Sequence, residues 1–144
     1  MNNIRQISVF VENKQGRLSA ITQILKDNDI NIRALSIADT KDFGILRIIV
    51  SDPDTACAKL REASCTVTIT EVVAISIDDE MGRLSEVMNL LRDAEVDIEY
   101  MYAFLSKSAN KASIILRVND NEKAHDAFTK GGIIQLTEKD ICEM

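Results

Sequence analysis

Glu12-Asn13-Lys14-Gln15-Gly16-Arg17-Leu18-Ser19 recurs in kind as Asp78-Asp79-Glu80-Met81-Gly82-Arg83-Leu84-Ser85, 66 positions downstream (82 − 16). In both places a polar turn ends in glycine directly before an amphipathic run. The likeness extends outward: Ile24-Leu25-Lys26-Asp27 answers to Leu90-Leu91-Arg92-Asp93, and Ile30-Asn31-Ile32 to Val96-Asp97-Ile98. A self-similarity this long is the mark of a duplicated structural unit. The chain therefore reads as two domains, residues 1–70 and 71–144, each near the lower size limit for independent folding.

On the N-terminal side of each turn, Ile7, Val9 and Val11 alternate with Gln6, Ser8 and Phe10, and Val73, Ile75 and Ile77 repeat the pattern. A period of two predicts a strand with one face packed inward. On the C-terminal side, Leu18, Ile21, Ile24 and Leu25, and again Leu84, Val87, Leu90 and Leu91, have the spacing of one helix face. Ile30 to Ala38 and Val96 to Leu105 then read as second strands, and Ile45 to Val50 and Ala112 to Val118 as third strands. Val118 matches Val50 at an offset of 68 (118 − 50), so the hairpin around Ser106 to Lys111 carries about two extra residues, at a place where insertions are tolerated.

Asp52-Pro53 has the form of an N-cap followed by proline at the first helical position, and Asp120 opens the matching helix, which Gly131-Gly132 ends. Thr66 to Thr70 and Ile133 to Leu136 supply fourth strands. Each copy thus reads strand, helix, strand, strand, helix, strand. The expected fold class is α+β: two tandem ferredoxin-like βαββαβ units, side by side in an extended antiparallel sheet with helices on one face. Thr66 to Asp78 runs almost without a break from one copy into the next. Tyr100, Met101, Tyr102 and Phe104 fall on a second strand, which this topology places at a sheet edge, where apolar side chains invite pairing.

Composition narrows the function. The chain is 46% hydrophobic and 28% charged, as in ordinary globular domains. A net charge of −6 without a cluster of Lys and Arg argues against a nucleic-acid partner. No apolar run approaches the roughly 20 residues that span a bilayer, and the N-terminus enters a strand pattern without a signal-like segment. The expectation is a cytoplasmic protein with no membrane partner. Cys57, Cys65 and Cys142 are odd in number and lack metal-ligand spacing, so they read as reduced small apolar residues, with no metal site implied. His125 reads as a surface residue of a charged helix. Asp78, Asp79 and Glu80 read as a solvated turn rather than a cation site, which needs several oxygen ligands converging on one point. Ser19 and Ser85 lie far along the chain from the sole histidine, and no phosphate-binding or dinucleotide fingerprint is present. The expectation is no enzyme and no cofactor.

The glycine turns are the features with chemical potential. Glycine before a helix lets a ligand approach the backbone, and the unpaired amides of the first helical turn can receive a carboxylate. Asn13, with both donor and acceptor, can orient the rest of a small zwitterion. A glycine that only makes a tight turn would have the same spelling.

At these residues the chain resembles the ACT domain family, regulatory modules that bind amino acids or other small effectors. The resemblance rests on the first-strand turn ending in Gly-x-Leu, the amphipathic helix behind it, and Asn31-Ile32 or Asp97-Ile98 opening the second strand, and it covers nearly the whole chain. Where the family commonly has proline before the glycine, Gln15 and Met81 stand. The resemblance implies paired domains, with ligands held where the turn of one meets the second-strand start of the other. One site would then combine Asn13, Gly16, Arg17 and Leu18 with Asp97 and Ile98. Its twin would combine Asp79, Gly82, Arg83 and Leu84 with Asn31 and Ile32. If each copy used its own strand instead, Asn13 would join Asn31 and Asp79 would join Asp97, and Asp97→Asn separates the two arrangements. The expected partners are an amino-acid-type effector, a second copy of the chain, and a metabolic enzyme or regulator. The alternative is a ligand-free interaction module.

Overall fold

The computed structural model describes residues 3–12, 14–39, 42–106 and 108–143. The elements follow in the order β1 (Ile4–Glu12), α1 (Arg17–Asp27), β2 (Ile32–Asp39), β3 (Phe43–Val50), α2 (Pro53–Glu62), β4 (Thr66–Asp78), α3 (Arg83–Asp93), β5 (Ile98–Phe104), β6 (Lys111–Val118), α4 (Asn121–Lys130), β7 (Ile134–Leu136) and α5 (Glu138–Cys142). Two compact units divide at Thr70/Glu71. The division falls inside β4, a single 13-residue strand. In the first unit the strand order is β4-β1-β3-β2, and in the second β7-β4-β6-β5. Both are the antiparallel split-βαβ order of a ferredoxin-like unit, so the fold is α+β with two tandem copies.

Strand alternation builds the core of each unit. In the first, Ile7 faces Ile48 and Val9 faces Leu46 across β1 and β3, and these pack with Ile21 and Leu25 of α1 and Ala56 and Leu60 of α2. In the second, Val73 faces Leu116 and Ile75 faces Ile114, packed with Val87 and Leu91 of α3 and Ala124 and Phe128 of α4. The helix faces begin one turn later than their spacing suggests, because Leu18 (41%) and Leu84 (38%) stay exposed at the helix heads. β2 in the first unit and β5 and β7 in the second lie at sheet edges.

Capping follows the polar residues. The Asp52 side chain accepts from the Thr55 amide at 3.2 Å, and Asp120 from the Lys123 amide at 3.1 Å. Gly131 caps α4, with Gly132 in the left-handed region at φ 70°.

Three features depart from the sequence reading. Asn3 and Ile4 group with the second unit. The cause is Asn3, whose amide donates to Glu71 at 3.2 Å and whose Oδ1 lies 2.9 Å from Nε2 of His125. His125 is accordingly buried (9% exposed), with Nδ1 against Oε1 of Gln135, and is not a surface residue. The third is α5, which begins in a capping box where Thr137 and Asp140 satisfy each other's backbone amides. Its Ile141 is fully buried, worth about 2 kcal/mol, enough to hold so short a helix in place.

The turn after α2 puts Ser64 at φ 66°, where the turn after α4 has Gly132 at φ 70°. A side chain in this region costs about 1–2 kcal/mol, partly offset by the chain entropy that glycine adds to the unfolded state. Ser64→Gly is expected to raise stability by about 0.5–1 kcal/mol in urea unfolding, and no gain would mean that the Ser64 hydroxyl compensates locally.

Candidate functional site

Both β-to-α turns close on a left-handed glycine: Gly16 at φ 86° heads α1 and Gly82 at φ 89° heads α3. This backbone requires glycine for its angle and not for packing, since a Cβ at either position would meet nothing within 4 Å. Arg17 N donates to Lys14 O at 3.3 Å, and Arg83 N to Glu80 O at the same distance, so the two turns are built alike. Neither helix has a side-chain cap, whereas α2, α4 and α5 are capped by Asp52, Asp120 and Thr137. Uncapped amides facing open space, with the positive end of the helix dipole behind them, suit an anionic group.

Charge at the two turns differs. Glu12 lies 3.0 Å from Lys14 and 3.8 Å from Arg17. The Lys14 ammonium, aided by Arg17, holds the Glu12 carboxyl below its ordinary range. In the second unit Asp78 is paired with Lys111, and Arg83 reaches Glu86 at 3.0 Å, Glu80 at 3.5 Å and Asp78 at 3.7 Å. Lys111, through its hydrogen bond and its charge, lowers the Asp78 carboxyl. Asp79 stands exposed in the turn, its amide donating to Asn110 O at 2.7 Å. Asp78 and Glu80 are thus turned to cations of the chain, and no group of three or more metal-ligating side chains converges among the described residues.

Asn13 lies outside the described residues. Asn31 and Asp97 take the same place in their units. Asn31 N donates to Ser51 Oγ at 2.9 Å while Ser51 N donates back to Asn31 O. Asp97 N donates to Asn119 Oδ1 at 2.9 Å and receives Asn119 N on its carbonyl. Ile32 and Ile98 pack against their cores. Within a unit these positions are separated from the glycine turn by the 11 residues of α1 or α3, about 16 Å of helix. Within one unit, turn and strand start therefore sit at opposite helix ends, Asp79 away from Asp97 and the Gly16 turn away from Asn31.

Behind each turn lies a cleft that the sequence reading did not single out. The first, of about 440 Å³, is lined by Phe10, Glu12, Arg17, Ile24, Phe43 and Cys65 among others. The second, of about 170 Å³, has Ser76, Asp78, Arg83, Glu86, Lys111 and Ile133 in its wall. The only sequence signal for them is the pairing of the copies position by position, which becomes spatial once the turns after α2 and α4 are known to close the clefts. Among the described residues no helix is long and apolar enough to cross a membrane.

The family described as an ACT domain pair matches residues 2–144. A crystal structure of a protein from Bacteroides thetaiotaomicron is 38% identical, with a TM-score of 0.94, covering 99% of this chain and 98% of that one. The ligand-free regulatory subunit of aspartate kinase from Thermus thermophilus has the same fold at 14% identity and a TM-score of 0.65, covering 90% of this chain and 93% of that one. Its counterpart from Thermus flavus gives 14% and 0.61, with coverages of 89% and 94%. Among curated proteins nothing matches the sequence.

Because the Asp78 carboxyl is lowered in the folded state, its stabilising effect is complete at neutral pH and fades as pH falls through that lowered value. Lys111→Met is expected to return the Asp78 titration, followed by carboxyl NMR, upward toward the ordinary aspartate range, and to lower the stability of the second unit at neutral pH while flattening its decline in acid. An unmoved Asp78 titration would show that the pair with Lys111 does not set it.

Proposed function

Since the chain belongs to the ACT domain family, as an ACT domain pair, we propose that it is a regulatory protein that binds a small amino-acid-type effector at its glycine turns and has no catalysis of its own. One observation carries this reading. Of the five helices among the described residues, α1 and α3 alone start on left-handed glycines without a side-chain cap and with open space before them. A carboxylate supplies what those amides lack, and at the first turn Arg17, only loosely paired with Glu12 at 3.8 Å, adds a positive charge. The fold shared with regulatory subunits of aspartate kinase agrees with a role in passing effector occupancy to a metabolic enzyme or regulator. A cytoplasmic setting, where free amino acids are monitored, goes with it.

A second reading is favoured by a different observation. Leu35 and Ile37 on the edge strand β2 are 54% and 49% exposed, and Met101 on the edge strand β5 is 41% exposed. Apolar side chains on open strand edges suit pairing with a second copy, as a homodimer or larger homo-oligomer, with or without a ligand.

Thermal unfolding of the protein against the common amino acids separates the readings. A ligand at 100 times its dissociation constant adds about 2.7 kcal/mol, so a binder should raise Tm by several degrees. Gly16→Val is expected to abolish that increment and leave self-association unchanged. Valine at these angles costs about 1–2 kcal/mol by itself, so the ligand-induced increment is the readout, not the absolute Tm. A flat panel with concentration-dependent self-association would favour the interaction module.

A further inference from the structure

The two clefts are the same place in the two copies. Phe10, Glu12, Arg17 and Ala20 of the first correspond to Ser76, Asp78, Arg83 and Glu86 of the second at the 66-residue offset, and Phe43 and Cys65 to Lys111 and Ile133 at an offset of 68. The acid and the arginine at the rim are kept, and the remaining wall has diverged in chemistry. In the first cleft Phe10 and Phe43 meet edge to face with ring centroids 6.2 Å apart. Ile21 and Ile24 of α1 and the half-buried Cys65 continue the apolar wall. In the second, Lys111 replaces the phenylalanine and pairs with Asp78, while Glu86 replaces Ala20 and draws Arg83 to 3.0 Å. The first cleft keeps about 440 Å³ and the second about 170 Å³. Only the first lies in the size range of small-molecule sites.

We propose that the copies have parted in function: the first cleft takes one apolar α-amino acid, and the second is closed by its own ion pairs. The ligand's carboxylate faces Arg17, its ammonium faces Glu12, and its branched or aromatic side chain lies against Phe10, Ile24, Phe43 and Cys65. Glu12 is held by Lys14 at 3.0 Å and only loosely by Arg17 at 3.8 Å, so a zwitterion's carboxylate gives Arg17 a closer counter-charge while its ammonium shares Glu12 with the exposed Lys14. The apolar wall rewards aliphatic and aromatic side chains and penalises polar ones, which would lose their hydration there. In the second cleft Arg83 is already engaged by three carboxylates, and a ligand would have to break the Lys111–Asp78 pair to enter. This inference rests on the effector-binding reading and names its ligand class.

The test is calorimetric titration of the intact protein with leucine, phenylalanine, serine and aspartate. Leucine or phenylalanine is expected to bind once per chain, with serine and aspartate weaker by roughly tenfold or more. The double variant Ala20→Glu/Phe43→Lys, which copies the second unit's residues at matched positions, is expected to weaken that binding by a similar factor. Its fold is checked by circular dichroism. In the unaltered protein, the bound amino acid should also slow alkylation of Cys65 by iodoacetamide and leave Cys142 unaffected, a readout that needs no variant. Two apolar ligands per chain, a preference for serine or aspartate, binding indifferent to the double variant, or an unprotected Cys65 would overturn the proposal while the effector reading stands. Silence with every amino acid would overturn both.

Discussion

The chain must turn from a strand into a helix within four residues, twice, and each time a left-handed backbone at Gly16 or Gly82 makes this possible. That angle sets where α1 and α3 begin, and so which of their residues reach the sheet. Ile21 and Leu25, or Val87 and Leu91, arrive over the strands, while Leu18 and Leu84 are left at the rim. The same glycine has no side chain with which to cap the helix it heads. The fold therefore leaves uncapped amides and the positive end of a helix dipole facing open space in each unit. Structure and binding capacity come from one backbone requirement.

Duplication supplied two copies of this arrangement, and the copies share a strand. β4 serves as the fourth strand of one unit through Thr66–Thr70 and as the first strand of the next from Glu71 onward. Around that common backbone the core positions have stayed aliphatic: Ile7, Val9 and Ile48 in one unit, Val73, Ile75 and Leu116 in the other, all at or near complete burial. Close-packed cores resist change because a methylene more or less is felt at once. The cleft walls carry no such constraint. Substituting Phe43 by lysine in the other copy, or Ala20 by glutamate, changes what the cleft can hold without disturbing the sheet.

Legibility in the sequence followed the same division. Periodicity marked the first strand of each copy and the helices α1 and α3, because a buried face imposes a repeat of two or of three to four residues on the letters. Asp52, Asp120 and Gly131 marked helix ends because caps act through residues beside them in the chain. The helix α5 escaped because its capping box uses Asp140 where the usual spelling has Glu or Gln, and because five residues are too few to show a periodic face. His125 was misread for a different reason. Its partners Asn3 and Gln135 come from other elements, and nothing in its charged neighbourhood on α4 hints that the ring is enclosed.

By itself the sequence determined the duplication, the strand-helix-strand-strand-helix-strand order of each copy, the aliphatic cores and the family, since each depends on local propensity or on patterns repeated along the chain. The tertiary structure decided which of the flagged residues share a place. It put Asn31 and Asp97 at the far ends of α1 and α3 from their own glycine turns, and it gathered Phe10, Arg17, Phe43 and Cys65 around one cleft from four separate segments. Residues that distant in the chain meet only because hydrophobic burial stacks helices on a sheet. Their meeting is a property of the packed fold, to which no single stretch of sequence holds the key.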